Sequence, residues 1–256
     1  MRRARLRRSS GLAVLLAVIG GDLMAEERRL EGEISYRYES LDSGFDDWQT
    51  QRLDLQSSRP GETTWYGAAL RERRFGIWDE GLELGAAVPL DGNWVLQPEV
   101  GRTFDADFLP EWYADLRLQR RLSQGFVGSA SVRRTQYDAS RVDRLALGAE
   151  RYWGNWRAAY TLNVSEVQGA GNPVGHAVAL DHYYHERSVI GVRASAGQEE
   201  EGVPGGEVVT SDVTSFTVRG RHWLDTNWAL SWELGTLSQG DLYDRHGIQL
   251  GVRRAF

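Results

Sequence analysis

The sequence has 256 residues, no cysteine and a formal net charge of −6. The missing cysteines exclude a disulfide framework, and the acidic balance disfavours nucleic acid as a partner, because phosphate binding needs a basic surface. A mean hydropathy of −0.47 without a long apolar run excludes a helical membrane protein, but it fits a barrel in which only every second residue meets lipid.

The N-terminal segment has the pattern of a secretory signal peptide. Five arginines precede a short apolar stretch at residues 11–20, and Ala25 is a small residue suited to a cleavage site. The apolar stretch is shorter than the about 20 residues of a membrane-spanning helix, so an uncleaved anchor is the less favoured alternative. We predict a cleaved signal at residues 1–25 and a mature domain at 26–256. Its net charge is −10, because cleavage removes five arginines and one aspartate.

Residues 26–256 divide into segments in which apolar and polar side chains alternate. The clearest begin at Trp112, Trp156 and Trp228, and this period is typical of tilted membrane-spanning strands of about 9–11 residues. Fourteen segments are predicted: 30–40, 48–57, 63–73, 78–89, 94–104, 110–122, 126–137, 143–153, 156–166, 176–184, 188–197, 209–223, 228–237 and 244–256. Twelve strands remain possible if 48–57 and 176–184 belong to loops. The predicted fold class is all-β, a single antiparallel transmembrane β-barrel with both termini periplasmic.

Two kinds of connection alternate along the chain. Residues that suit tight reversals recur at 58–61, 90–93, 123–125, 154–155, 185–187 and 225–227. Longer acidic or glycine-rich stretches lie between them, at 42–47, 105–107, 168–173 and 198–207. This pattern predicts short periplasmic turns and longer extracellular loops. The sequence leaves open whether the loop at 198–207 folds inward and plugs the lumen.

Aromatic residues cluster beside both kinds of connection, which predicts two girdles at the two membrane interfaces. The predicted periplasmic girdle contains Trp65, Tyr66, Trp94, Phe126, Trp153, Trp156, Tyr183, Tyr184, Trp223 and Trp228. The predicted extracellular girdle contains Trp48, Phe75, Trp78, Phe104, Trp112, Tyr137 and Tyr243.

The last segment alternates Ile248, Leu250 and Val252 with polar residues and ends on Phe256. It resembles the closing strand of outer-membrane β-barrels, in which the terminal aromatic residue is the signal read by the barrel-insertion machinery. The resemblance implies an outer-membrane location in a Gram-negative bacterium. It also implies that the insertion machinery, outer-membrane lipid and lipopolysaccharide are partners.

If apolar side chains face lipid, the alternation assigns charged residues of both signs to the lumen. The principal candidates are Glu33, Arg37, Asp54, Glu83, Arg117, Arg133, Glu150, Arg157, Arg219 and Glu233. The same parity adds Glu31, Arg52, Arg71, Glu99, Asp115, Asp181, Arg193, Arg221 and Arg253. Such charges either pair with one another and hold the barrel together or line a path for hydrophilic solutes.

From Leu30 to Phe256 the chain resembles the YaiO-like outer-membrane β-barrel proteins. The resemblance rests on the sequences at residues 73–76, 108–110 and 151–154 and on the closing strand from Arg245 to Phe256. It implies an outer-membrane barrel, and some relatives are encoded near surface-polysaccharide genes, which makes a surface polysaccharide a possible partner. The family supplies no catalytic residues.

The sequence contains few combinations of residues that could catalyse a reaction or bind a metal ion. His246 with Asp244 and Asp241 is the one pairing near the outer rim that suits catalysis, and no nucleophile motif accompanies it. The loop acids, among them Asp42 and Asp47, lack the spacing of a calcium loop. We therefore predict no enzyme activity, no metal site and no cofactor.

The sequence favours a small pore or accessory barrel for hydrophilic solutes or surface-glycan export. The alternative is a non-conducting structural or adhesive barrel whose interior is closed by its own ion pairs. A lipid-active barrel enzyme is a distant third.

Overall fold

The computed structural model describes residues 28–74, 76–138, 140–168, 171–185, 187–202 and 208–256. The predicted signal peptide and Phe75 lie outside these ranges. The strands are β1 Arg29–Leu41, β2 Trp48–Ser58, β3 Thr64–Arg74, β4 Ile77–Pro89, β5 Trp94–Phe104, β6 Trp112–Arg121, β7 Phe126–Gln136, β8 Arg141–Trp153, β9 Trp156–Val167, β10 Val174–Tyr184, β11 Ser188–Gly202, β12 Val208–Trp223, β13 Trp228–Gln239 and β14 Tyr243–Ala255. A 3₁₀ turn, Ser123–Gly125, precedes β7. None of the described residues forms a helix long and apolar enough to cross a membrane.

The fourteen strands form one closed antiparallel barrel. Each strand pairs with its neighbours in sequence, and β1 pairs with β14 from Glu31↔Ala255 to Leu41↔Arg245. The Phe256 amide donates a hydrogen bond of 2.9 Å to the Leu30 carbonyl at the end of this seam. Closure leaves no unpaired strand edge. The predicted fold class and the prediction of about fourteen strands are confirmed.

The strand register sets the width of the barrel. Following the paired residues once around gives a shear of about 14, a strand tilt of about 37° and a backbone radius of about 12 Å. Large side chains can therefore reach far toward the barrel axis, so the residues on the inner face decide how much of the lumen stays open.

Strand ends agree with the sequence prediction within a few residues, except at the hairpin of β11 and β12. The ladder there continues from Gln198↔Asp212 to Gly202↔Val208. The described part of the predicted loop at 198–207 therefore extends the barrel wall instead of entering the lumen. Some extracellular connections are also short, since residues 75–76 alone join β3 to β4. The predicted difference in length between turns and loops is correspondingly small.

Two periplasmic turns share a sequence and a geometry. The Asp91 carboxylate accepts hydrogen bonds from the amides of Asn93 and Trp94 at 2.9 and 3.0 Å. In the turn before β13, Asp225 accepts two bonds of 2.7 Å from the following Asn-Trp amides. An aspartate that bonds its own backbone two and three residues later favours a tight reversal. The tryptophan then starts the next strand at the membrane interface.

Pro98 interrupts the sheet without adding a residue to it. The pairing of β4 with β5 stops after Gly85↔Glu99 and resumes in the same register at Val88↔Leu96. Proline has no amide hydrogen for the ladder. The resulting gap lies opposite Ala86 and Ala87, both of which are buried.

Six residues of the predicted aromatic girdles belong to the inner side of the barrel, which corrects the sequence prediction. Trp48, Tyr137, Tyr243 and Trp223 are buried, and the strand parity turns Tyr66 and Tyr183 inward as well. The remaining described members face outward, including Trp65, Trp112 and Trp153. A position next to a turn does not reveal whether a ring points into the lumen or toward the membrane. Successive residues of a strand point to opposite faces, so a difference of one residue reverses the direction.

Candidate functional site in the barrel lumen

The inner face carries the ten principal candidate charges. They lie at inward positions of nine strands: Glu33, Arg37, Asp54, Glu83, Arg117, Arg133, Glu150, Arg157, Arg219 and Glu233. Contacts that skip a strand demonstrate the orientation, because they can form only across the concave side. Arg37 of β1 binds Glu233 of β13, and Arg52 of β2 binds Glu83 of β4.

Arg71 is the exception among the predicted lumen charges. Its guanidinium lies on the outer face, 3.0 Å from the Glu80 carboxylate and 4.3 Å from the centre of the Trp78 ring. Leu70 takes the inward position in β3. The rule that apolar side chains face lipid fails here because the outward side chain is screened by a neighbouring carboxylate and an interfacial ring.

A buried cluster fills one side of the extracellular half of the lumen. We call it the extracellular cluster; its members are Trp48, Glu72, Arg74, Asp79, Phe108, Tyr243 and Arg245. Arg74 has 0% of its surface exposed and lies between two rings, 4.3 Å from Trp48 and 5.0 Å from Phe108. Its Nε donates to Glu72 at 2.6 Å. Sequence reasoning missed Arg74 and Asp79, although both fit the alternation of β3 and β4.

Asp79 fixes the loop that contributes Phe108. Its carboxylate accepts hydrogen bonds from the backbone amides of Asp107, Phe108 and Leu109 at 2.7–3.1 Å. Phe108 is 2% exposed as a result. Charge-assisted bonds to consecutive amides hold a loop more firmly than neutral ones. The loop at residues 105–111 therefore bends over the lumen at this side.

A second group of buried and partly buried charges, the periplasmic network, lies near the other end of the lumen. Its members are Glu31, Glu33, Glu150, Arg157, Asp181, Arg187, Arg219 and Arg253. The central carboxylate is Asp181, which binds Arg157 at 2.7 Å and Arg219 at 3.0 Å. Arg157 binds Glu150 in turn at 2.7 Å. Glu150, Arg157, Asp181 and Arg219 join β8, β9, β10 and β12. The other four members form a separate group that joins the turn before β11 to β1 and β14.

Between the two clusters, the middle of the lumen is in contact with water. The side chain of Arg37 is 27% exposed, and those of Asp54 and Glu233 are 23% and 25% exposed. The lumen is therefore charged and hydrated at mid-height.

Glu99 is held against the wall by two tyrosines. The Tyr113 hydroxyl donates to Glu99 at 2.8 Å, and Tyr66 faces the same carboxylate. Both rings lie flat over glycines: a Cβ on Gly101 would approach Tyr113 to 2.2 Å, and one on Gly85 would approach Tyr66 to 2.4 Å. The glycines keep these rings out of the lumen.

Gly101→Val is therefore expected to destabilise the barrel by about 1–3 kcal/mol, the usual effect of forcing an extra group into a packed site. The valine displaces the Tyr113 ring and breaks its bond to Glu99. Urea denaturation followed by the gel shift between folded and unfolded barrel measures the change. Gly128→Val is the matched control, because the nearest atom to a Cβ there is 4.0 Å away. Equal midpoints for the two variants would contradict the prediction.

The predicted insertion signal lies on the outer face of the closing strand. Ile248, Leu250 and Val252 are exposed there, and Phe256 is exposed beside the Arg254 guanidinium at 4.7 Å. His246 also faces outward in β14 and lines a shallow groove with Tyr38 and Thr236. Among the described residues no group of three or more histidines and acids is arranged to hold a metal ion.

Comparisons with known proteins agree with this architecture. The model of the family described as YaiO membrane beta barrel domain matches residues 30–202. No curated protein sequence matches the chain.

Several solved outer-membrane barrels have a similar fold. An anion-selective porin from Comamonas acidovorans is 13% identical, with a TM-score of 0.52 over 90% of this chain and 99% of that one. OmpF of Salmonella typhi is 9% identical, with a TM-score of 0.52 over 91% and 98% of the two chains. OmpT of Vibrio cholerae is 9% identical, with a TM-score of 0.51 over 90% and 97%. At these identities the likeness concerns the fold alone.

Proposed function

Because the chain belongs to the family of the YaiO membrane beta barrel domain, we propose that this outer-membrane barrel is a pore for small hydrophilic solutes. The observation that carries the proposal is the hydrated, charged middle of the lumen, where Arg37 and Glu233 remain 27% and 25% exposed. Charged, water-filled interiors are typical of barrels that pass polar solutes.

We infer that the solute takes an oblique path between the two buried clusters. In the extracellular half, the strands away from the extracellular cluster carry small or uncharged inward residues: Ala146, Asn163, Ser165, Gly175, Ala177, Ser195, Gly197 and Ser215. In the periplasmic half, the strands away from the periplasmic network carry Gly85, Ala87, Val95, Gln97, Gln119, Val127 and Ser129. A solute would enter along the first set and leave along the second.

A closed barrel is the second candidate. The specific observation in its favour is complete burial of charge at both ends, since Arg74 and Asp181 are each 0% exposed. Ion pairs that satisfy one another stabilise a barrel without any transport. The pore is favoured because the mid-lumen charges keep their contact with water.

Catalysis is not part of the proposal. His246, the candidate for the outer rim, lies at an outward position with its side chain toward the membrane.

We also propose that the exposed closing strand ending in Phe256 is recognised by the insertion machinery after removal of the signal peptide. Lipid and lipopolysaccharide would then surround the apolar outer face. A surface polysaccharide remains a candidate cargo of the same path.

Single-channel conductance in a planar bilayer tests the proposed function. Protein extracted from outer membranes is expected to give stable current steps and a defined reversal potential in a salt gradient. A folded barrel, verified by its heat-dependent gel shift, that passes no current would overturn the pore and support the closed barrel.

A further inference from the structure

Two arginines in the wall of the proposed path face each other, and a single carboxylate, Asp115, lies beside them. Arg133 of β7 and Arg144 of β8 are direct partners in the ladder, and both point inward. Like charges at directly opposed positions destabilise a sheet. Among the described carboxylates only Asp115 lies within 4.0 Å of either guanidinium, at 4.0 Å from Arg144. The Nε atom of Arg144 is buried without a hydrogen-bond partner among the described residues.

Arg133 lies opposite Asp115 in the ladder of β6 and β7, but its closest described contacts are not ion pairs. Its guanidinium carbon lies 3.7 Å from the centre of the Tyr113 ring, and its Nε donates to the Thr135 hydroxyl at 3.3 Å. Tyr113 in turn lies flat over Gly101. A cation on a ring face keeps its terminal N–H groups free to bind an anion.

Arg117 of β6 continues the series on the next strand. It lies opposite Ser131, and no described carboxylate comes within ion-pair distance of it. The height of each arginine can be measured from the periplasmic end of its own strand. By this measure Arg144 of β8 lies highest, Arg133 of β7 is lower and Arg117 of β6 is lowest. The strand ends are Trp153, Phe126 and Arg121, respectively. The three arginines therefore lie at successively lower heights in the wall. They separate the small inward residues of the extracellular half from those of the periplasmic half.

Short side chains line the wall beside Arg144. The inward positions of β9 and β10 next to Arg144 are occupied by Ser165, Asn163, Gly175 and Ala177. None of these side chains is long enough to cover the guanidinium, and two of them offer polar groups. A solute in the lumen can therefore reach both arginines from this side.

We propose that Arg133 and Arg144, with Arg117 below them, form a binding site for solutes that carry two linked carboxylate or phosphate groups. Guanidinium groups match the geometry of both oxyanions, and a ligand with two anionic groups relieves the repulsion between the opposed arginines. The inference rests on the proposed pore and names the chemical class that it selects. Because the site lies inside the lumen, the ligand arrives as a dissolved solute and not as a lipid headgroup.

Block of the channel current by pyrophosphate tests the site. The Arg133→Gln, Arg144→Gln double variant is expected to raise the half-blocking concentration at least about tenfold, the loss expected when charged hydrogen bonds are removed. Its reversal potential is expected to move toward cation preference. The matched control removes two outward arginines, Arg71→Gln with Arg134→Gln, and is expected to behave as the wild type. Equal block of wild type and the Arg133, Arg144 variant overturns the proposal.

A second measurement keeps this test separate from that of the pore. If the barrel passes no current, the proposed function fails, but pyrophosphate is still expected to raise the unfolding temperature of the wild type and not of the double variant. No shift in the wild type overturns the site. Arg144→Gln alone is expected to leave the ligand-free unfolding temperature unchanged or raised, because it removes a repulsion. A lowered unfolding temperature would instead assign these arginines a structural role and overturn the proposal.

Discussion

Asp181→Ala is expected to lower the free energy of unfolding by about 3–5 kcal/mol, the largest stability effect of any single substitution that we predict. Asp181 has 0% of its surface exposed and binds the guanidinium groups of Arg157 and Arg219. Removing the carboxylate leaves the two guanidinium groups without their shared, buried partner. The heat-dependent gel shift and urea denaturation of the folded barrel measure the loss.

The control for Asp181 is an exposed ion pair of the same kind. Glu62 binds Arg28 at 2.8 Å and Arg59 at 2.9 Å in a periplasmic turn, where all three side chains are more than two-fifths exposed. Glu62→Ala is expected to cost less than about 1 kcal/mol, because water solvates the freed arginines. If Asp181→Ala unfolds at the same urea concentration as Glu62→Ala, the periplasmic network does not stabilise the barrel.

Asp79→Ala is expected to release the loop at 105–111 and widen the extracellular mouth. The substitution removes the acceptor of the amide bonds from Asp107, Phe108 and Leu109. Losing a charged acceptor for buried donors costs about 1–3 kcal/mol, which favours an open loop over a loop with unpaired amides. Phe108 then leaves Arg74 and becomes accessible. We expect chymotrypsin to cleave the variant after Phe108 and the unit conductance to rise.

Asp107→Ala is the matched control for the loop. Asp107 is exposed, and only its backbone amide takes part in the bonds to Asp79. This variant is expected to resist chymotrypsin as the wild type does and to keep the wild-type conductance. Protection of Phe108 in Asp79→Ala would show that packing on Arg74 holds the loop without the carboxylate.

The sequence alone determined the barrel and most of its inner face. Alternation with period two is local, so the strands beginning at Trp112, Trp156 and Trp228 were visible from side-chain chemistry. Turn residues such as Asp91 and Asp225 bond their own backbone nearby, and they too could be recognised without tertiary information. The principal candidate charges, among them Glu83 and Arg133, lie at positions of that parity.

Only the tertiary structure decided which inward charges are neutralised and which are free. Arg157 and Arg133 have the same chemistry and the same parity, yet Arg157 binds Asp181 whereas Arg133 packs on Tyr113. Those partners come from other strands, and the register that brings them together is set by closure around the whole barrel. The failed assignments have the same origin: the outward position of Arg71 and the burial of Trp48 depend on neighbours across the sheet. Alternation along a strand determines whether a side chain faces the lumen or the membrane. Contacts between strands determine whether an inward charge is paired.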